Sequence, residues 1–366
     1  MTDQSYPILY ASYSAVPGVG SGGKHRNLQL LELCRRAGGV PRAVDMGPTS
    51  RRRDLGDVAV GASIALANFH RITYPPRGLR RAGALRRSFR QAVRDFPTAE
   101  AFLLESTPDS ALTVYAKARG LRVLSFPQNL ESFFWGARAT NGLCQQLTLA
   151  REMEGFSQAD HVYMISREEQ WLARLFGIEA RFLPYHPPAE IAEQMLGVRR
   201  QRETTTGDGT FLLLGSGEYP PTFAGMAKVV QWLKTEPAAL RERVLVAGRG
   251  TERLQAVCAE SGVACLGTLS AEEMEARLIQ TRAVIAHQEA GGGALTRIPE
   301  MLMAGIPVLA NSISARSYFD YSGVFVYERR EQLLDLLKRD FPVPPGPPPP
   351  TAAEDEIIAL LRASGA

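Results

Sequence analysis

Three consecutive glycines, Gly291, Gly292 and Gly293, stand between an apolar segment and a stretch with helical character. Glycine has no side chain, so the backbone N–H groups of such a loop can approach a ligand closely. Arg297 falls in the first turn of the helix, where a cation is favourable mainly when it pairs with a bound anion. Glu300 follows in the same turn and can accept hydrogen bonds from ribose hydroxyl groups. These residues predict a nucleotide diphosphate site, with a salt-bridged turn as the structural alternative.

A second glycine loop lies near the start of the chain, where Gly18, Gly20 and Gly23 match the pattern GxGxxG. Asp45 follows Gly23 by 22 residues, so the segment has the spacing of the dinucleotide-binding fingerprint. In that fingerprint the first glycine directly follows a strand, whereas residues 14–17 separate Gly18 from the nearest predicted strand. Three interpretations therefore stay open: dinucleotide binding, binding of another ligand, and an ordinary surface loop.

Apolar segments with strand character alternate with amphipathic segments along most of the chain. Residues 8–13 predict a strand and residues 24–37 a helix, and the same alternation resumes with residues 210–214 and 223–234. Such alternation is typical of parallel sheets with helices on both faces. A chain of 366 residues is long enough for two domains of about 100–200 residues. We therefore predict the α/β class with two Rossmann-like, doubly wound domains.

The predicted domain boundaries follow changes in composition. We predict an N-terminal domain over residues 1–197, a polar linker over 198–209 and a second domain over 210–340. Residues 341–366 form the tail, in which a proline-rich spacer precedes a short apolar helix. We expect that helix, which contains Ile357, to dock on the body of the protein, and the alternative is a disordered tail.

Residues 291–308 resemble the donor-site signature of GT-B glycosyltransferases, which has a glycine-rich turn, a basic residue, a glutamate and a Gly-x-Pro-Val ending. The resemblance is to the retaining group 1 type, or family 4, which includes bacterial lipopolysaccharide and capsule hexosyltransferases. It implies two Rossmann-like domains that face each other across a cleft. Other segments resemble the family's donor-domain strands and loops (211–221, 246–250 and 266–270), its last acceptor-domain strand (159–166) and a loop at the cleft (127–131).

The resemblance also implies roles for particular residues. The glycines at 291–293, with Thr296 and Arg297, would hold the donor diphosphate. Glu300 would bind the ribose, and Thr268 would lie beside the nucleobase. The first glycine loop would approach the phosphates or the donor sugar from the other domain. The donor-binding residues implied in this way are Gly22, Gly23, Gly217, Thr268, Leu269, Gly291, Gly292, Gly293, Thr296, Arg297 and Glu300.

Two positions depart from the family pattern. The family often has two glutamates separated by seven residues, and when the second is matched to Glu300 the first falls on Gly292. Glu289 could replace that carboxylate, and it is our one catalytic candidate. A Lys/Arg pair is also common after the first donor-domain strand, where this chain has residues 218–220, Glu-Tyr-Pro. Neutralisation of the diphosphate would then depend more heavily on Arg297 and on backbone N–H groups.

The charge of the chain is unevenly distributed. The net charge is +4, yet residues 1–100 contain 16 Lys and Arg against 7 Asp and Glu, so the remainder is mildly acidic. This pattern excludes a uniformly basic nucleic-acid binder, and we expect no nucleic-acid partner. Residues 35–94 contain 14 arginines and 3 acids, and residues 77–96 predict an amphipathic helix. That helix could lie on an anionic membrane surface, or it could be an ordinary helix with its apolar side in the core.

No DxD pattern occurs in the chain, so we expect neither a metal nor another cofactor at the donor site. The expected donor is a UDP- or GDP-sugar. The expected acceptor is a glycan, a lipid-linked glycan or a small molecule. The four cysteines form no CxxC pair and the first ten residues lack the features of a secretory signal. We therefore expect a cytoplasmic protein, with peripheral attachment to the inner face of the membrane as a further possibility.

The resemblance implies a metal-independent glycosyltransferase of the hexosyltransferase type that acts with retention of anomeric configuration. It would serve polysaccharide or cell-envelope glycan synthesis. Three alternatives stay open. The first is a nucleotide-sugar epimerase of the same architecture. The second is an NAD-dependent oxidoreductase built on the first glycine loop. The third is a sugar-nucleotide-binding homologue that has lost catalysis, which the missing carboxylate at Gly292 makes plausible.

Overall fold

The computed structural model describes residues 6–12, 22–46, 76–105, 110–136 and 142–364, together with residues 59, 62 and 63. The predicted Gly18 and Gly20 therefore lie outside the described residues. The chain divides into two compact units. Unit 1 comprises residues Met1–Tyr185 and Pro350–Ala366, and unit 2 comprises His186–Pro349. Each unit contains one parallel sheet of six strands, which confirms the predicted α/β class with two Rossmann-like folds.

The sheet of unit 1 has the order β2-β1-β3-β4-β5-β6. Its strands are β1 (Tyr6–Ser12), β2 (Gly39–Ala43), β3 (Ala101–Glu105), β4 (Arg122–Ser125), β5 (His161–Met164) and β6 (Ala180–Phe182). The helices that connect them are α1 (Gly22–Arg36), α2 (Pro76–Asp95), α3 (Ser110–Lys117), α4 (Glu131–Gly136), α5 (Gly142–Ser157) and α6 (Arg167–Leu175).

Both faces of this sheet are buried, which explains why its strands are apolar without alternation. Successive side chains of a strand point to opposite faces. Accordingly, Ile8 packs in a cluster with Leu30 and Leu33 of α1, whereas Leu9 packs in a second cluster with Leu85 and Phe89 of α2. The two clusters hold the helices to the two sides of the sheet.

Helix α2 is the predicted basic amphipathic helix, and it spans Pro76–Asp95 rather than residues 77–96. The side chains of residues 76–82 lie outside the described part. Leu85, Phe89 and Ala92 are buried in the core of unit 1. Arg87, Arg90 and Arg94 are exposed. The apolar side of the helix is thus covered by the sheet, as in an ordinary surface helix. Within the described residues, no helix is both long enough and apolar enough to cross a membrane.

The tail of the chain ends in a helix that belongs to unit 1. The last helix of the chain, α15 (Thr351–Arg362), buries Ile357, Ile358 and Leu361 in the cluster that also contains residues of α1. Glu354 at its start accepts a hydrogen bond from Arg36 of α1 at 2.5 Å. The helix is therefore packed on the body of unit 1, not detached from it.

The sheet of unit 2 has the order β12-β11-β10-β7-β8-β9, the arrangement of the dinucleotide-binding Rossmann fold. Its strands are β7 (Phe211–Leu214), β8 (Val244–Ala247), β9 (Ala264–Gly267), β10 (Ala283–Ala286), β11 (Val308–Asn311) and β12 (Val324–Tyr327). Its helices are α7 (Ala189–Thr204), α8 (Pro220–Leu233), α9 (Ala238–Arg241), α10 (Gln255–Ser261), α11 (Ala271–Gln280), α12 (Arg297–Met303), α13 (Ser312–Ala315) and α14 (Arg330–Leu336).

The predicted linker at residues 198–209 is wrong in its position. Helix α7 runs to Thr204, and the two units divide at residues 185 and 186 instead. Arg202, one of the arginines that give this stretch its polar composition, is a packing residue, because it donates to the carbonyl oxygens of Leu278, Ile279 and Thr281. These bonds satisfy carbonyl groups at the C-terminal end of α11, so a polar sequence here marks a helix contact, not a flexible connection.

We expect the change Ile357→Ala to lower the free energy of unfolding by about 2–4 kcal/mol, because Ile357 is fully buried against α1. Urea denaturation measures this effect. Asp355→Ala on the exposed side of the same helix is the matched control and should change stability by less than about 0.5 kcal/mol. Equal effects of the two changes would mean that α15 does not pack on unit 1 in solution.

Candidate functional site

In open parallel sheets, ligands bind beyond the carboxyl ends of the strands where the strand order reverses. In unit 2 this switch point lies between β7 and β10, which are neighbours in the sheet although far apart in sequence. The loop after β7 begins at Gly215, and the loop after β10 contains the three consecutive glycines. The predicted diphosphate site of the second domain therefore lies at the switch point.

Arg297 lies at the end of β7. Its Nη1 donates a hydrogen bond to the carbonyl oxygen of Leu214, the last residue of that strand. A Cβ atom added to Gly215 would lie 3.4 Å from the same nitrogen, so the guanidinium group is packed against the loop backbone. Burial lowers the pKa of Arg297, and the negative charge of Glu300 acts in the opposite direction. A half-buried guanidinium group held by a backbone carbonyl is a favourable partner for a phosphate group.

The glycine loop has backbone angles that other residues rarely adopt. Gly291 has φ +133° and Gly293 has φ +67°. A Cβ atom on Gly291 would also lie 3.1 Å from Oη of Tyr219, so a side chain there would be crowded as well as strained. Thr296 precedes α12 and makes no capping bond with its side chain, and Glu300 on the helix is buried. Helix α12 has only seven residues, so few peptide dipoles add along its axis.

Gly217 is required by packing between two loops. A Cβ atom on Gly217 would lie 2.2 Å from the carbonyl oxygen of Gly250, and its N–H donates to the carbonyl of Arg249 at 2.8 Å. The loops after β7 and β8 therefore touch through their backbones. The donor-binding role of Gly217 stays a prediction, because this contact alone explains why the position is glycine.

Thr268 and Leu269 directly follow β9, so they lie at the carboxyl ends of the strands, as do the loops after β7 and β8. Thr268 is exposed, and its Oγ1 accepts a hydrogen bond from the N–H of Gly250 at 3.0 Å. Its own N–H donates to Glu252 at 2.6 Å, and hydrogen bonds from Thr268 lower the pKa of Glu252. Leu269 is half-buried against the core of unit 2. The structure thus places Thr268 beside the loop after β8.

Glu289, the catalytic candidate, is engaged in two charged contacts. Its carboxylate accepts hydrogen bonds from Lys228 of α8 at 3.0 Å and from Nε2 of His287 at 2.9 Å. Burial by itself would raise the pKa of Glu289, but the bonds from His287 and Lys228 outweigh it and lower that pKa. A carboxylate stabilised in its charged form is a weak general base, so the geometry argues against this role.

His287 makes a hydrogen bond at each of its two ring nitrogen atoms. Its Nδ1 lies 2.9 Å from Oη of Tyr327, opposite the bond to Glu289. Burial lowers the pKa of His287, although Glu289 acts to raise it. The chain from Lys228 through Glu289 and His287 to Tyr327 ties the start of the loop after β10 to α8 and β12, and this supports a positioning function.

Unit 1 contains a second polar cluster at its own switch point, between β1 and β3. Tyr10 at the end of β1 donates to Glu105, the last residue of β3, which is 1% exposed. Asn27 of α1 donates to Glu105 at 2.7 Å, and Gln128 donates to it at 2.8 Å and to the carbonyl oxygen of Gly23 at 3.3 Å. The cluster thus holds the start of α1, where the predicted Gly22 and Gly23 lie.

Burial raises the pKa of Glu105, although the hydrogen bonds from Tyr10, Gln128 and other neighbours act to lower it. The pKa of Tyr10 is raised well above its ordinary value by burial and by Glu105. This carboxyl group therefore binds a proton more readily than an exposed glutamate does, and its charge state is sensitive to its partners.

The predicted loop at residues 127–131 is held by two buried carboxylates. Glu152 of α5 accepts hydrogen bonds from the N–H groups of Glu131 at 2.6 Å and Ser132 at 3.2 Å, at the start of α4. Glu169 of α6 accepts one from the N–H of Leu130 at 3.0 Å. Burial raises the pKa of Glu152 to about 7, even though the bonds from Ser132 and Glu131 act to lower it.

The sequence analysis did not identify several polar residues of the unit 1 clusters and of the glycine loop region of unit 2. Glu105 directly ends the apolar segment 101–104, so its position at a strand end was a usable signal. The others had no local signal, since their partners are distant in sequence. The missed residues are Asn27, Glu105, Gln128, Glu152, Asn311 and Arg316.

No protein-family model and no curated protein matches the chain. Solved structures do match, and one is sucrose-phosphate synthase from Thermosynechococcus elongatus, with a TM-score of 0.61, 14% identity and coverage of 98% of this chain and 93% of that chain. HepE from Anabaena in complex with UDP has a TM-score of 0.60, 12% identity and the same coverage. WaaG, a glycosyltransferase involved in lipopolysaccharide biosynthesis, has a TM-score of 0.58, 12% identity and coverage of 98% and 95%. At these identities the likeness shows the fold: the chain has the GT-B fold of these glycosyltransferases.

The raised pKa of Glu152 predicts a pH-dependent stability. Its value of about 7 in the folded chain exceeds the ordinary 4.5, so the folded state binds the proton more tightly. This contribution to stability is complete below the ordinary value and is lost as the pH rises through about 7. Between pH 5 and pH 8 we expect the wild type to lose up to about 3 kcal/mol more unfolding free energy than Glu152→Gln.

Urea denaturation of both proteins at the two pH values measures this difference. The half-buried Glu154 lies on the same helix, and Glu154→Gln is the matched control, which should follow the wild type. Parallel curves for wild type and Glu152→Gln would show that Glu152 does not titrate in this range.

Proposed function

We propose that the chain is a glycosyltransferase that transfers a sugar from a nucleotide diphosphate sugar. The observation that carries the proposal is the half-buried Arg297, whose guanidinium group bonds to the last carbonyl of β7 at the switch point of unit 2, in the helix that follows the glycine loop at residues 291–293. The fold supports it, since HepE, which has a similar structure, binds UDP and UDP-glucose. The chemistry follows from charge: the leaving nucleotide diphosphate is an anion, and a fixed guanidinium group stabilises it as the bond to the sugar breaks.

The proposed roles of the other residues follow their positions. The glycine loop would bind the diphosphate through backbone N–H groups, with Thr296 at its end. Glu300 would bind the ribose, Thr268 and Leu269 would border the nucleobase, and Gly22 and Gly23 would contact the phosphates or the donor sugar. We propose a UDP- or GDP-sugar of the hexose type as donor, transfer with retention, and no metal or other cofactor. The proposed acceptor is a cell-envelope glycan, a lipid-linked glycan or a small molecule, met in the cytoplasm.

A second candidate is a sugar-nucleotide-binding protein without catalysis. It is favoured by Gly292, which stands where the resemblance expects a carboxylate, and by the pairing of Glu289 with Lys228 and His287. The two candidates differ in turnover. Slow hydrolysis of UDP-glucose or GDP-mannose in the absence of acceptor would favour the transferase, whereas binding with no hydrolysis and no transfer would favour the second candidate.

Titration calorimetry with UDP, GDP and NADH tests the proposal itself. We expect binding of UDP or GDP, because the site in unit 2 has the chemistry of a diphosphate site. We expect no binding of NADH, which the first glycine loop would have to provide. Tight binding of NADH with no binding of UDP or GDP would overturn the proposal in favour of an oxidoreductase.

Replacing Arg297 tests the residue that carries the proposal. We expect Arg297→Ala to weaken binding of the nucleotide diphosphate by about 1.5–3 kcal/mol, the scale of a hydrogen bond to a charged group. Calorimetry measures the loss, and thermal melting verifies that the variant is folded. Arg282→Ala is the matched control, because Arg282 also donates to a backbone carbonyl but stands at the amino end of β10. Equal affinities of Arg297→Ala and wild type would assign Arg297 a structural role.

We also propose that the exposed arginines of α2 contact an anionic membrane surface. Since Leu85 and Phe89 are buried in unit 1, the contact would be electrostatic and not an insertion. We expect the triple change Arg87→Glu, Arg90→Glu and Arg94→Glu to abolish flotation with vesicles that contain phosphatidylglycerol, since each basic residue contributes about 1 kcal/mol near such a surface.

The control for this experiment reverses three other exposed charges, Lys234→Glu, Lys338→Glu and Arg339→Glu, and should float like the wild type. Vesicles of phosphatidylcholine alone should recover neither variant. If the wild type does not float with anionic vesicles, the membrane contact is refuted and the transferase proposal is unaffected.

A further inference from the structure

Two polar side chains, one at the end of β11 and one just after α13, hold the glycine loop. The first is Asn311, which is 6% exposed and forms a pair of hydrogen bonds with the backbone of Gln288. Its Oδ1 accepts from the N–H of Gln288 at 3.1 Å, and its Nδ2 donates to the carbonyl oxygen of Gln288 at 2.8 Å. The same Oδ1 accepts from Ser314 and so caps α13. Asn311 thereby fixes the start of the loop relative to the end of β11.

The second is Arg316, just after α13. Its guanidinium group donates to the carbonyl oxygen of Gly291 and, at 3.3 Å, to that of Gly292. Ser317, the next residue, is fully buried and has φ +65°, the one non-glycine residue with positive φ in the described part of the chain. A left-handed conformation costs about 1–2 kcal/mol for such a residue, so the packed surroundings must maintain it. The backbone that carries Arg316 is thus held in an unusual conformation beside the glycine loop.

The bonds from Arg316 set the direction of the loop's N–H groups. In a planar trans peptide the carbonyl oxygen and the N–H point in opposite directions. The carbonyl of Gly291 points to Arg316, so the N–H of Gly292, in the same peptide unit, points to the other side. A rotation of this peptide would exchange the two groups and present a carbonyl oxygen where the N–H now stands. A carbonyl oxygen repels an anion, whereas an N–H binds it.

We infer that Arg316 is a positioning residue that fixes the glycine loop with its N–H groups directed to the diphosphate of the nucleotide donor. The inference rests on the proposed function. Asn311 supports it by fixing the start of the same loop. Arg316 acts through the peptide units of Gly291 and Gly292, so its effect should depend on the phosphates of the ligand and not on the nucleoside.

The test compares a nucleoside diphosphate with its nucleoside by calorimetry, using UDP with uridine and GDP with guanosine. For Arg316→Gln we expect the affinity for UDP or GDP to fall about tenfold, the scale of one charge-assisted hydrogen bond, with nucleoside affinity within about twofold of wild type. Arg316→Lys keeps the positive charge but lacks the planar fork that reaches two carbonyls, so we expect a loss of about threefold.

Arg243→Gln is the matched control. Arg243 is also half-buried and donates twice to one backbone carbonyl, that of Gly209, at 3.1 and 2.9 Å, at the amino end of β8. This change should leave the ratio of diphosphate to nucleoside affinity at its wild-type value. Thermal melting precedes the titrations, and if Arg316→Gln does not fold, Arg316→Lys carries the comparison.

In a folded Arg316 variant, an unchanged ratio of diphosphate to nucleoside affinity would overturn the inference. That result would arise if neither affinity changed, or if both fell by the same factor, as a merely structural role would cause. If wild type binds neither UDP nor GDP, the proposed function has failed, which is a different result. Binding by wild type with an unchanged ratio in the variant refutes the role of Arg316 alone.

Discussion

Contact between the backbones of neighbouring loops is the constraint on which the switch point of unit 2 depends. A Cβ atom on Gly248 would lie 1.9 Å from the carbonyl oxygen of Gly215, and one on Gly217 would lie 2.2 Å from that of Gly250. No side chain fits at either distance, so the loops after β7 and β8 can close only with glycine at these positions. Their closure leaves the end of β7 beside Arg297, whose guanidinium group bonds to the last carbonyl of that strand.

Each unit has an ionisable residue shielded from water at the switch point of its sheet, fully in the case of Glu105 and partly in the case of Arg297, and the two carry opposite charges. In unit 2 the residue is Arg297, and burial lowers its pKa; in unit 1 it is Glu105, and burial raises its pKa. In both cases desolvation disfavours the charged form, and hydrogen bonds to nearby backbone or side chains maintain the group in place. A half-buried cation is complementary to a diphosphate, whereas the hydrogen-bonded carboxyl group of Glu105 orders the start of α1 through Gln128.

The sequence predicted the fold class well because both sheets are buried on two faces and their strands are continuous apolar segments. It also indicated the glycine loop and Arg297, which are close together in sequence and which the structure places at the switch point of unit 2; their role in binding stays a prediction. The linker was misplaced because Arg202 looks like a solvent residue in composition but bonds to carbonyl groups of α11. Arg316 had no local signal, because its partners Gly291 and Gly292 are distant in sequence and only the parallel topology brings them close. Glu105 did have one, its position at the end of an apolar segment, although its hydrogen-bond partners are also distant in sequence.

We propose above that the switch point of unit 2 binds the diphosphate of a nucleotide. A crystal structure of the chain with UDP or GDP tests it most directly. We expect phosphate oxygens within hydrogen-bonding distance of the N–H of Gly292 and of the guanidinium group of Arg297. A nucleotide bound elsewhere, with the glycine loop and Arg297 untouched, would contradict it.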